Sequence, residues 1–160
     1  MQLKLIVFFI LGLFSTLSQA TCIGVGCSCT VTSTPVAFAS YNPTSATATT
    51  GTGTVTVTCT ALVANLNVAY QIALSAGSNG TFSARKMISG STLLQYNLYT
   101  DSGYTTVWGD GSSGTSVVND SYTLLLLAVI RNYPVYGKIP GSQVAGAGVY
   151  NDTITVTVTY

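Results

Sequence analysis

The chain is expected to fold as an all-β Greek-key sandwich. Apolar and polar residues alternate with period two in one segment after another, and turn residues punctuate them about every eight to twelve positions. No segment carries a helical period. Abundant Thr, Ser and Gly, with only 6% charged residues, suit short strands joined by tight turns.

The opening residues stand apart from that pattern. Lys4, the apolar run from Leu5 to Phe14 and the small-residue close Ser18-Gln19-Ala20 have the three-part form of a secretory signal peptide, with cleavage after Ala20. A run of about ten apolar residues is too short for a bilayer, which needs about twenty, and no later run qualifies. Residues 1–20 are thus expected to be a leader and residues 21–160 one domain, with no transmembrane segment in the mature chain.

The domain has its cations at Arg85, Lys86, Arg131 and Lys138 and its anions at Asp101, Asp110, Asp120 and Asp152, so its charges cancel. Nucleic acid is excluded as a partner, because four dispersed cations cannot build a phosphate-binding patch. So few charges also leave the surface weakly protected against association, as suits a protein that is assembled.

Cys22, Cys27, Cys29 and Cys59 follow an export signal, so two disulfides are expected rather than a metal site, for which no His is present. Three connectivities are possible. The favoured one joins Cys29 to Cys59, each in a strand-like run, and leaves Cys22 and Cys27 to close a small loop.

In order, Thr30 to Phe38 reads as a strand broken by Pro35, hence an edge or a strand that switches partners. Tyr41-Asn42-Pro43 is a turn, and Thr44 to Thr52 a small-residue stretch with no core face. Gly53 to Thr60 turns Val55, Val57 and Cys59 one way and threonines the other. Val68 to Ser75 repeats this with Val68, Tyr70, Ile72 and Leu74, and Asn79-Gly80 ends the turn after it. Phe82 to Ser89, with Arg85 and Lys86, reads as a solvated strand or loop. Leu94 to Thr100 sets Leu94, Tyr96 and Leu98 on one face, and Asp101-Ser102-Gly103 turns the chain toward Thr105 to Trp108.

Thr115 to Val118 and Ser121 to Ile130 are expected as strands around an Asn119-Asp120 turn, with Leu124 to Ile130 buried on both faces or in a packed corner. Pro134 marks an edge or a strand start, Val135 to Ile139 a short strand, and Pro140 to Gly148 a loop. Last comes Val149 to Tyr160, where Ile154, Val156 and Val158 alternate with threonines. Nothing follows Tyr160 in the sequence, so this strand is expected to leave an edge that a partner must cover. The count reaches about seven or eight strands, in the range of a sandwich.

Catalysis has little to work with. His and Glu are absent, so no Ser-His-Asp or Cys-His arrangement can form, and the four Asp sit in turn-like contexts where local backbone hydrogen bonds explain them. No cofactor is expected. Three Asn-X-Ser/Thr matches, at Asn79, Asn119 and Asn151, arise readily in so Thr-rich a chain. Ten tyrosines and Trp108 could line a sugar-binding surface, which makes a secreted lectin-like module the alternative function. Tyr70 and Tyr96, on strand faces, suit core or interface better.

Several segments together resemble the spore coat protein U domain, a family that includes the subunits of archaic, Csu-type chaperone-usher pili. They are CTVTSTPVAFASYNP (29–43), GTVTVTC (53–59), YNLYTDSGYTTVWGDGSSGTS (96–116), VYGKIPGSQ (135–143) and AGVYNDTITVTVTY (147–160). The resemblance implies an incomplete immunoglobulin-like Greek-key sandwich lacking its last strand. It further implies a Gram-negative protein that passes through the periplasm to a surface pilus or coat. Its partners would be a periplasmic chaperone, an outer-membrane usher and neighbouring pilin subunits, each supplying or guiding the missing strand. The acceptor groove would lie between Val31, Val36 and Phe38 on the first strand and Ile154, Val156 and Val158 on the last. A donor strand would need roughly ten alternating residues at about 3.3 Å each. Residues 21–28 offer only Ile23 and Val25 as plugs, so either a tip-like subunit that accepts a strand without donating one or a coat component that does not extend a fibre is expected.

Overall fold

A computed structural model describes residues 21–22, 26–125 and 127–160; the expected leader lies outside them. Among the described residues all regular structure is β, in nine strands: β1 Thr21–Cys22, β2 Ser28–Phe38, β3 Thr49–Thr60, β4 Leu66–Leu74, β5 Arg85–Ser89, β6 Thr92–Tyr99, β7 Val118–Leu124, β8 Ala128–Ile139 and β9 Val156–Thr159. No helix among them is long and apolar enough to cross a membrane.

Two antiparallel sheets face each other in an immunoglobulin-like sandwich. The larger runs β2-β3-β8-β6-β5; in the smaller, β4 pairs with β7 on one side and with both β1 and β9 on the other. Alternation builds the core: Val55, Val57 and Cys59 of β3 face Val68, Tyr70, Ile72 and Leu74 of β4, with Leu94, Tyr96 and Leu98 of β6 beside them, all buried.

Glycines let β2 close over the larger sheet. Pro35 and Val36 form a bulge opposite Gly53, where a Cβ would stand 2.7 Å from the Thr34 carbonyl oxygen. Beyond it Phe38 lies over Gly137 of β8, where a Cβ would come within 2.6 Å of its ring. β3 therefore starts at Thr49 rather than Gly53, because Val36 and Phe38 supply the interior that its small residues lack.

Several expectations are corrected. Asn119 and Asp120 lie within β7, facing Gln71 and Tyr70 across the ladder, and make no turn. The run from Leu124 to Ile130 is not one strand but the end of β7, a short connection and the start of β8; Leu124 is buried but Leu125, Leu127 and Ile130 stand exposed. Two of its carbonyls are bonded from the β3–β4 connection: Ala61 N–H donates to Leu127 O and Asn65 N–H to Leu124 O. β8 is a central strand seven residues longer at its start than the expected Val135–Ile139. Pro134 is tolerated there because β6 pairs only with Tyr136 to Lys138, so no ladder bond on that side needs its nitrogen.

Candidate functional site

Strands β2 and β9 each bond to one neighbour, β3 and β4 respectively, and among the described residues their other edges have no ladder partner. Those edges face each other across the open side of the sandwich. A cleft of about 380 Å³ separates them, walled by Thr34, Val36 and Phe38 on one side and Ile154 and Val156 on the other, with Leu74, Met87, Leu98 and Val135 as its floor. A second cleft of about 650 Å³ continues it between Val36–Pro43 and Ala145–Asn151, sharing Val36, Phe38, Met87, Tyr150 and Asn151.

The structure thus brings Val36, Phe38, Ile154 and Val156 around one cavity. Val31 and Val158 face the same interior from the ladder but stand beyond the cavity lining. Val158 opposes the buried Ile72. Val31 opposes the fully buried Val57 and is nonetheless 38% exposed. Neither strand carries a charged residue on its free edge, the usual device that keeps an edge from pairing. The β9 ladder is shorter than the alternation of Val149 to Tyr160 suggested. It begins at Val156 because β4 ends at Leu74, and Asn151 bridges instead to Ile88 of β5.

Polar groups fix the cleft walls. Asp152 accepts from the Tyr96 hydroxyl at 2.7 Å and from the backbone N–H of Ser78 at 2.9 Å, tying the segment before β9 to β6 and to the β4–β5 connection. Gln143 accepts from Gln95 N and donates to Gln95 O, both at 2.9 Å, so its amide extends the sheet as a peptide unit would. Arg85, expected at a solvated position, is fully buried. Its guanidinium donates to the carbonyls of Ser75 and Trp108 and to Asn97 Oδ1, and its ring neighbour is Phe82. Burial lowers its pKa, with Tyr96 and Asp152 acting against that. Three carbonyl-type acceptors leave the charge well hydrogen-bonded.

The sugar-binding alternative loses its principal residue. Trp108 has no exposed surface, and its Nε1 donates to Ile72 O at 3.0 Å. Tyr70 and Tyr96 are buried as well. Asp101 and Asp110 cap local turns: Asp101 accepts from Thr105 and Thr106, Asp110 from Ser112, and these hydrogen bonds hold both carboxyls below the ordinary range. Asp120 does more than that, accepting from the Tyr133 hydroxyl inside the sandwich.

Cys29 and Cys59 form a disulfide between directly opposed positions of β2 and β3, with Cα atoms 4.0 Å apart, and Cys22 is joined to Cys27. The bridge thus anchors the free-edge strand to an interior one.

Comparison with known proteins agrees with this architecture. Protein U of Myxococcus xanthus is 33% identical over 88 residues, which are 54% of this chain and 46% of that protein. A similar fold occurs in the solved CsuC–CsuE chaperone–tip adhesion subunit pre-assembly complex from the archaic chaperone-usher Csu pili of Acinetobacter baumannii. There the TM-score is 0.55 at 23% identity, over 84% of this chain and 40% of the other. The chain spans less than half the length of either. The family model of the Spore Coat Protein U domain matches residues 15–157, nearly the whole sequence, and the chain belongs to that family.

Proposed function

We propose that this protein is a structural or adhesive subunit of a surface pilus or coat, assembled by donor-strand complementation. In this reading residues 1–20 direct export and are removed, and a periplasmic chaperone lends a strand to the groove between β2 and β9. An outer-membrane usher then exchanges it for a strand of a neighbouring subunit. The sandwich is one strand short, and the partner completes it.

The observation that carries this is the pair of facing, uncharged strand edges with apolar interior between them. Free N–H and C=O groups on both rims offer main-chain pairing, and the alternating Val156 and Val158 and the cavity at Val36 and Phe38 offer pockets for alternate side chains. The tip-like role rests on the N-terminal residues. Thr21 and Cys22 pair with this domain's own β4 and Cys22 is bonded to Cys27, which supports a subunit that receives a strand without lending that segment.

The test is expression in the periplasm of a Gram-negative host with and without the cognate chaperone. Alone, the protein should self-associate or unfold at low denaturant; with the chaperone it should copurify as a stable complex. A highly stable monomer, indifferent to the chaperone and to strand peptides, would refute the proposal.

A further inference from the structure

The two ends of the described chain share one edge of β4. Val156 to Thr159 lie opposite Leu74 to Gln71 in turn, and Thr21 and Cys22 lie opposite Ala69 and Val68. Both ladders are antiparallel to β4, so β9 and β1 run in the same direction, one behind the other. Only Tyr70 separates them, at the register position that Tyr160 continues, and Thr21 falls one step beyond it. The faces stay in phase across the break. Val156, Val158 and Cys22 oppose the buried Leu74, Ile72 and Val68, and all three pack against the core.

A strand of two residues has little stability of its own. This one is held by covalent bonds: Cys22 is tied to Cys27, and Cys29, at the start of β2, is tied to Cys59. Between Cys22 and Ser28 the chain passes from the smaller sheet to the larger. At the end of the open side opposite Phe38 and Ile154, the Cys22–Cys27 disulfide therefore ties β1 to the residue that precedes β2.

We propose that β1 is part of the strand-accepting edge. It prolongs the β9 rim, so that a β-strand from another polypeptide pairs with Val156 to Tyr160 and then with Thr21 and Cys22, and the Cys22–Cys27 disulfide holds β1 in that rim. The occupant is an extended strand without charged side chains, because no side chain of either rim carries a charge. This rests on the strand-acceptor reading above and adds to it a role for the N-terminal loop.

The experiment follows backbone amide exchange in the secreted protein, free and with a bound strand peptide of alternating Val and Thr. Alternate N–H groups of a strand point to opposite edges, so every second residue along the rim reports. Protection should rise at the outward amides of β9 and, together with them, at the amide of Cys22 or of the residue that follows. In C22S/C27S, which keeps the Cys29–Cys59 bridge, the peptide should dissociate about tenfold faster and protection at the N-terminal residues should vanish. Protection confined to β9, with an unchanged dissociation rate in C22S/C27S, would overturn the inference and leave the groove intact as the acceptor. Absence of any peptide or chaperone binding by the wild-type protein would instead overturn the strand-acceptor reading itself.

Discussion

Val31 and Val57 are direct partners in the β2–β3 ladder and point to the same face, yet Val57 is fully buried and Val31 is 38% exposed. The sandwich is closed over one and open over the other. Val57→Thr should cost about 2 kcal/mol, since it loses apolar burial and places a hydroxyl in the core. Val31→Thr should cost the isolated protein less than about 0.5 kcal/mol. In complex with a chaperone or strand peptide the second substitution should become costly, weakening binding roughly tenfold, or about 1.4 kcal/mol. Denaturant unfolding and a binding titration of both variants check the contrast.

Arg85 is placed so that no shorter or weaker donor can replace it. Its fork spans Ser75 O, Trp108 O and Asn97 Oδ1, and Lys offers neither the planarity nor the reach in two directions. Arg85→Lys and Arg85→Met should both destabilise by about 3 kcal/mol, because each leaves buried acceptors without a donor. Thermal unfolding followed by the fluorescence of Trp108 reads the loss directly.

The two disulfides should differ in effect. Cys29–Cys59 closes a loop with a sequence separation of 30, and its removal should cost roughly 3.5 kcal/mol by chain entropy. Cys22–Cys27, with a separation of 5, should cost about 2 kcal/mol. Urea midpoints of the paired Cys→Ser variants measure both.

Alkaline pH should unfold the protein through its buried tyrosines. Burial pushes the Tyr70 hydroxyl from 10.0 up to about 12, and raises Tyr96 and Tyr133 as well, helped by their hydrogen bonds to Asp152 and Asp120. With folded pKa above unfolded, this contribution is complete below pH about 10 and is lost as pH rises through about 12. In that window the unfolded chain releases phenolic protons that the folded chain keeps. Tyrosinate absorbance should therefore rise together with the loss of near-ultraviolet circular dichroism. In Tyr70→Phe the transition should move to higher pH relative to its own neutral-pH stability.

Strands with one wet and one dry face were legible from the residues alone, as in Val55–Cys59, Val68–Leu74 and Leu94–Leu98. What failed depended on partners far away in sequence. Arg85 reads as solvated because its acceptors at Ser75 and Trp108 carry no local signal. Asn119-Asp120 reads as a turn until Tyr133 is seen to donate to Asp120 and Gln71 to Asn119. Leu124–Ile130 has no period to distinguish a buried strand from an exposed corner. At the groove, the family resemblance pointed to Val36, Phe38, Ile154 and Val156, whereas the floor at Met87 and Leu98 and the wall at Tyr150 and Asn151 came only from the fold. Gly53 and Gly137 were the available hint, since glycine within a strand marks close approach by another chain segment.

The Cys29–Cys59 bridge also has a mechanical consequence. Tension applied along a strand seated beside β2 would tend to peel β2 away from β3, one hydrogen bond at a time. Peeling that reaches Cys29 meets a covalent bond. From there the load passes into β3, whose ladder with β8 runs from Thr49 to Thr60 and must shear as a whole. The β2 edge, which has no second ladder partner among the described residues, is in this way backed by a ladder that resists unzipping.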